Sequence, residues 1–194
     1  MGLVGATAEP AAEPGRAPKR GPGWLRSWRW RALAFGLIVV LALIGAILTS
    51  DRAAQPGAAP GFSVARLGQA GSTISLSDFR GRPVVMNFFA SWCPPCRDEL
   101  PILSAAQRRV GANVAFVGID VSDSTPAALD LVRSSGVTYP LGVDPNYKVT
   151  DSLYHLRGLP STVFIDAKGN INGTVLGQLS PKVLDDRLKG LTGR

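Results

Sequence analysis

Trp92-Cys93-Pro94-Pro95-Cys96 follows directly on the apolar run of residues 84–89, and these are the only two cysteines in 194 residues. A buried strand that ends at a dithiol and runs into a helix constrains the chain more than any other segment. Two thiols at that spacing close a small ring and reopen it, and a helix N-terminus stabilises a thiolate there. A structural bridge gains more by closing a long loop, and a structural zinc site takes four ligands. Against two cysteines this chain sets one histidine, His155. The pattern therefore points to a redox-active disulfide between Cys93 and Cys96, with a structural bridge and a metal site as the alternatives.

Charge is distributed unevenly. The chain holds 21 Lys and Arg against 14 Asp and Glu, a formal +7. Six of the basic residues, Arg16, Lys19, Arg20, Arg26, Arg29 and Arg31, precede the longest apolar run and are opposed there only by Glu9 and Glu13. That segment carries +4 and the remainder +3, so the basic excess is not a nucleic-acid face, and no nucleic-acid partner is expected. Residues 32–48 contain no charged side chain; as a helix they would be about 26 Å long, enough to cross a bilayer. Trp24, Trp28 and Trp30 fit an interfacial belt, and the positive-inside rule puts the N-terminus in the cytoplasm. The reading is a disordered basic cytoplasmic tail (1–31), a transmembrane signal anchor (32–50), an Ala/Pro/Gly linker (51–61) and one domain (62–194). A cleaved signal peptide is the other reading of the same run. The anchor places the domain outside the cytoplasmic membrane, single-pass, in a compartment where dithiols become oxidised.

Within the domain, short strands are expected at 63–67 and 73–76, joined through 68–71, then a buried strand at 84–89. A helix runs from the motif to about Arg109, with Pro101 as a kink. A strand at 114–121, a helix at 125–135 capped by Ser124 or Thr125, a short strand at 141–143 and a short helix at 146–154 follow. Two strands, 162–165 and 171–176, flank the hairpin loop 166–170, and Ser180-Pro181 opens a last helix ending near Leu191. Asn172-Gly173-Thr174 fits a glycosylation sequon and reads as a hairpin turn. The fold class is α/β: a three-layer sandwich with a mixed central sheet flanked by helices, extra N-terminal strands and a central insertion.

The stretch Val84-Val85-Met86-Asn87-Phe88-Phe89-Ala90-Ser91-Trp92-Cys93-Pro94-Pro95-Cys96, followed by Gly158-Leu159-Pro160-Ser161-Thr162, resembles a thioredoxin fold. With the signal anchor, the strands before residue 76 and the insertion, the chain is similar to the membrane-anchored, extracytoplasmic TlpA/ResA-like thiol:disulfide oxidoreductases of the cytochrome c maturation type, whose domain is redoxin (AhpC/TSA)-like. The resemblance implies that Cys93 attacks and Cys96 resolves. It implies that Pro160 is the cis-proline opposite the dithiol and that Trp92, Leu159 and Pro160 bind substrate. Glu99 would tune the thiols and relay protons, although an acidic residue in the first turns of a helix is favoured in any case. Asn87 departs from thioredoxin, which carries a buried Asp there; Asn accepts no proton. The implied partners are protein disulfide substrates, apocytochrome c among them, and a membrane dithiol electron donor. No cofactor and no metal is expected.

Pro94 and Pro95 lack backbone N–H groups, so a Cys93 thiolate loses two helix N-terminal donors. A less stabilised thiolate favours a reductant, while the helix dipole and Arg97 act the other way. The alternatives are a disulfide oxidase or exchanger, and a copper or haem metallochaperone using the dithiol as ligands.

Overall fold

The computed structural model describes residues 57–193. The basic tail, the apolar segment expected to cross the membrane and most of the linker lie outside the described residues. Among the described residues, no helix is long and apolar enough to cross a membrane.

Among the described residues, seven strands form one mixed sheet in the order β2-β1-β5-β4-β3-β6-β7. β3 (Val84–Phe89) is an interior strand and is buried along its whole length, as a mostly apolar run with both faces covered requires. It pairs in parallel with β4 (Ala115–Val121), which pairs in parallel with β5 (Leu141–Asp144). On its other side β3 pairs antiparallel with β6 (Ser161–Ile165), and β6 with β7 (Ile171–Leu176). The hairpin of β1 (Ser63–Arg66) and β2 (Gln69–Ser75) completes the sheet beyond β5.

Alternation along β3 divides the core. Val85 and Phe89 face a cluster with the helices α1 (Pro94–Val110), α2 (Thr125–Ser134) and α3 (Pro181–Thr192). Val84, Met86 and Phe88 face Phe62, Phe79, Val149 and Leu156 on the other side. Among the described residues the three long helices cover one face: β3-α1-β4 and β4-α2-β5 step in the same direction, so right-handed crossovers put α1 and α2 on one side, and α3 packs beside them through Leu184 and Leu188. The opposite layer is built from shorter pieces, a 3₁₀ turn at Leu76–Phe79 and a π-helical segment at Lys148–Leu153.

Three local expectations are corrected. The loop expected at 68–71 contracts to Leu67-Gly68, because Gly68 at φ +70° reverses the chain and leaves Gln69 to Gly71 free to extend β2. The helix expected at 146–154 is π-helical. Thr150 donates its N–H to the Asp144 carboxylate at 2.8 Å, and the backbone bonds around it run Ser152 to Tyr147 and Tyr154 to Val149, five residues back. Asn172 to Thr174 lie inside β7, where Arg187 Nη1 would stand 2.6 Å from a Cβ at Gly173. Pro101, where a kink is expected, lies inside helix α1, which continues to Val110.

One glycine positions the N-terminal hairpin. A Cβ at Gly142 would lie 2.4 Å from Val64 Cγ2 and 3.0 Å from Ile74 Cγ2, so the hairpin seats against β5 only because that side chain is missing.

Candidate active site

β3 ends at Phe89, and a short turn leads to Cys93, which caps α1 with Pro94 and Pro95 as the first helical residues. Cys93 and Cys96 are joined in a disulfide, with their Cα atoms 5.3 Å apart. Cys96 is fully buried and Cys93 is only 4% exposed, so in the oxidised form the difference in access between them is small. The N–H of Cys96 donates to the Cys93 carbonyl at 3.1 Å, and Arg97 donates through Nε to the Ser91 carbonyl at 2.8 Å. The guanidinium is therefore engaged with the loop before the dithiol.

Leu159 is half-buried and packs against the cluster that holds both cysteines. The Leu159–Pro160 peptide bond is cis, Pro160 is buried, and its carbonyl accepts from the Gly177 N–H at 2.8 Å. Trp92 is the contrast, 55% exposed, with its indole N–H donating to the Ser122 carbonyl at 3.1 Å.

Glu99 lies one turn beyond Cys96 on α1, a spacing that puts the two side chains on one helix face. It is 1% exposed, not solvated as a helix-surface carboxylate would be. Oε1 accepts from Asn87 Nδ2 at 2.9 Å and from Thr162 Oγ1 at 3.2 Å, and Oε2 accepts from the Leu179 N–H at 3.1 Å. One carboxylate so joins β3, β6 and the segment before α3. Burial pushes its pKa up to about 7, against the Leu179 and Thr162 bonds, which favour the charged form. Asn87 also donates to Thr162 Oγ1 at 3.0 Å, while its Oδ1 is buried with no partner. Tyr139 is buried nearby with an unpartnered hydroxyl, and burial together with the Glu99 charge holds the phenol above its ordinary range.

Two acidic residues beside the turn that leads to Cys93, Asp123 and Asp120, carry no signal in the motifs of the sequence. Asp123 accepts from both the N–H and the hydroxyl of Ser91, and from the Ser124 N–H at 2.7 Å. Asp120, the charged residue inside the apolar strand β4, is 3% exposed. The signal available was a lone Asp in a run that is otherwise apolar, followed three residues later by a second. His155 is exposed at φ +52° just after the π-helical segment, and among the described residues no three His, Cys, Asp or Glu side chains gather as a metal-ligand group.

The titration of Glu99 has a stability signature. Its folded pKa of about 7 lies above the ordinary 4.5, so the native state holds the proton more tightly. The stabilisation is complete below pH 4.5 and is lost as the pH rises through 7. In the oxidised protein, where the cysteines do not titrate, Glu99→Gln should gain about 3 kcal/mol relative to the parent between pH 4.5 and pH 8. Denaturant unfolding at both values tests this, and a difference independent of pH would mean that Glu99 does not titrate within the fold.

Comparison with known proteins agrees with this geometry. Residues 57–174 match the AhpC/TSA family. Thiol-disulfide oxidoreductase ResA of Oceanobacillus iheyensis is 33% identical over 165 residues, 79% of this chain and 82% of that protein. ResA of Bacillus subtilis is 31% identical over 117 residues, 60% of this chain; the match spans 65% of that protein's length. A thioredoxin family thiol:disulfide interchange protein from Chlorobium tepidum superposes with a TM-score of 0.63 at 30% identity, covering 72% of this chain and 99% of the other. A thioredoxin-like sheet that delivers a Cys-x-x-Cys disulfide to a helix N-terminus makes this a thiol-disulfide oxidoreductase. The chain belongs to the AhpC/TSA family, beside the ResA proteins.

Proposed function

We propose that the protein is an extracytoplasmic, membrane-anchored oxidoreductase that reduces disulfides of exported proteins, apocytochrome c among them, and is itself recharged by a membrane dithiol donor. The observation that carries this reading is the Cys93–Cys96 disulfide at the start of α1, with Glu99 buried one turn further in. In the reduced protein the Cys93 thiolate attacks one sulfur of a substrate disulfide, and the other substrate sulfur leaves as a thiolate and takes up a proton. Cys96 gives up its proton and its thiolate attacks Cys93 Sγ, which restores the Cys93–Cys96 disulfide and frees the second substrate thiol. Glu99, with a pKa of about 7, accepts or returns that proton near neutral pH. Trp92, Leu159 and Pro160 form the rim against which the substrate segment lies.

Two prolines at the first positions of α1 withhold N–H donors from a Cys93 thiolate, which supports a reductant over a strong oxidant. The test is competition for electrons with a peptide that carries an oxidised Cys-x-x-Cys-His segment. The reduced full-length chain should reduce this peptide, and its own disulfide should resist glutathione while yielding to dithiothreitol. A disulfide reduced readily by glutathione, or net oxidation of the reduced peptide, would favour the oxidase reading and overturn this one.

The compartment is tested separately. In intact cells, after mild reduction, Cys93 and Cys96 should react with a membrane-impermeant thiol reagent. Labelling that needs lysis would place the domain in the cytoplasm.

A further inference from the structure

Below the loop that presents Cys93 lies a pair of carboxyl groups that thiol exchange does not use. Asp120 is at the end of β4, in register with Phe89 of β3 and Val143 of β5, and its side chain is on the face that carries α1 and α2. It is 3% exposed, and its Oδ1 has no hydrogen-bond partner. Its carboxyl group meets that of Asp123, three residues on. Asp123 in turn holds Ser91, two residues before Cys93, by N–H and hydroxyl, and holds the Ser124 N–H at the cap of α2.

Two ionised carboxylates in contact repel one another, and neither carries a donor. A single proton held between them removes the repulsion and makes a charge-assisted bond, and the buried carboxyl is then neutral. We propose that Asp120 and Asp123 are a positioning pair, which shares one proton and thereby clamps the Ser91 turn that presents Cys93 to its substrate. When the proton leaves, the clamp loosens and the turn is released.

Burial and the Asp123 charge push the Asp120 pKa up to about 7, so release falls in the physiological range. The charged and titratable groups on the surrounding elements are few. Asp123 lies on the β4–α2 loop, and Arg97 on α1 is committed to the Ser91 carbonyl. α1 also brings Glu99 and the cysteine pair, which does not titrate while oxidised. β3 and β5 bring Phe89 and Val143 beside Asp120. On α2, Asp130 and Arg133 are exposed and paired with each other.

The readout is hydrogen exchange at the Ser91 amide in the oxidised full-length chain in detergent, corrected for the intrinsic pH dependence of exchange. Protection should fall about tenfold between pH 6 and pH 8.5, the change that one unit of coupled pKa produces. Asp120→Asn supplies a permanent N–H donor to Asp123, so its protection should stay at the pH 6 level throughout. Glu99→Gln should retain the parental pH dependence, which separates this pair from the other group with a pKa near 7. Asp123→Asn, which weakens the clamp without changing its size, should lower Ser91 protection at every pH. A parental profile in Asp120→Asn, a flat profile in the parent, or loss of the dependence in Glu99→Gln would overturn the proposal. Should Asp120→Asn fail to fold, the parent, Glu99→Gln and Asp123→Asn still decide it.

Discussion

Cys93→Ser is expected to lower disulfide-exchange turnover roughly a thousandfold or more, to the uncatalysed background, because the only thiolate able to reach an incoming disulfide is gone. Cys96→Ser should behave differently. Cys93 can still attack, but nothing inside the protein resolves the mixed disulfide, so covalent complexes accumulate. Both positions are nearly inaccessible in the oxidised form, at 4% and 0% exposure, so burial alone does not assign the roles. The assignment rests on place: Cys93 is the cap residue and Cys96 is inside the first turn, beneath it. Non-reducing gels of the two variants after mixing with a disulfide substrate measure the trapped fraction. Equal trapping by both would remove the assignment.

Phe164→Ala is expected to cost about 3–5 kcal/mol of stability, the usual range for emptying a fully buried aromatic site. Phe164 is 0% exposed on β6, directly opposite Val85 of β3, and the Arg187 guanidinium of α3 lies 5.9 Å from its ring centre. The ring fills the space between sheet and C-terminal helix, in the cluster that also holds Leu179, Leu184 and Leu188. For a domain of this size the melting temperature should fall by roughly 10–20 °C. Thermal unfolding of the oxidised protein checks this, and a loss below about 1 kcal/mol would mean that the site collapses around the smaller side chain.

Much of the layout is legible in the residues, and the buried polar contacts are the largest part that is not. β3, β4, α1 and the β6–β7 hairpin follow from apolar runs, a proline-led helix start and an Asp-to-Asn turn, all of which are local signals. Asp166 shows how local: its Oδ1 accepts from the N–H groups of Lys168 and Asn170 within its own loop. The buried polar contacts are not local. Glu99 reaches Leu179, eighty residues on, and Asn87 reaches Thr162, seventy-five on. Neither end announces its partner in the sequence, so Glu99 read equally well as a solvated carboxylate. The π-helical segment is hidden for a different reason: it depends on Thr150 donating to the Asp144 carboxylate, a short-range contact that the helical period does not register. Asp120 was passed over because period and hydropathy describe a strand by its majority, and one charge among seven residues does not change either.

The first described residues are laced to an unexpected place. Before entering β1, the chain pairs Ala58 with Asn170, and the Ile171 N–H donates to the Gly57 carbonyl at 2.7 Å while the Ala59 N–H donates to the Gly169 carbonyl at 2.9 Å. Tyr154 adds a hydroxyl bond to the Pro60 carbonyl at 2.7 Å. The backbone attachments are to the β6–β7 hairpin, on the far side of β3 from β1 in the sheet order. A mechanical load applied at the N-terminal end is therefore met first by the backbone lacing to residues 169–171, and only afterwards by the β1–β2 hairpin at the other edge. The domain has a strain relief: a load applied at its first described residue is taken up at the hairpin tip and does not peel the sheet from its first strand.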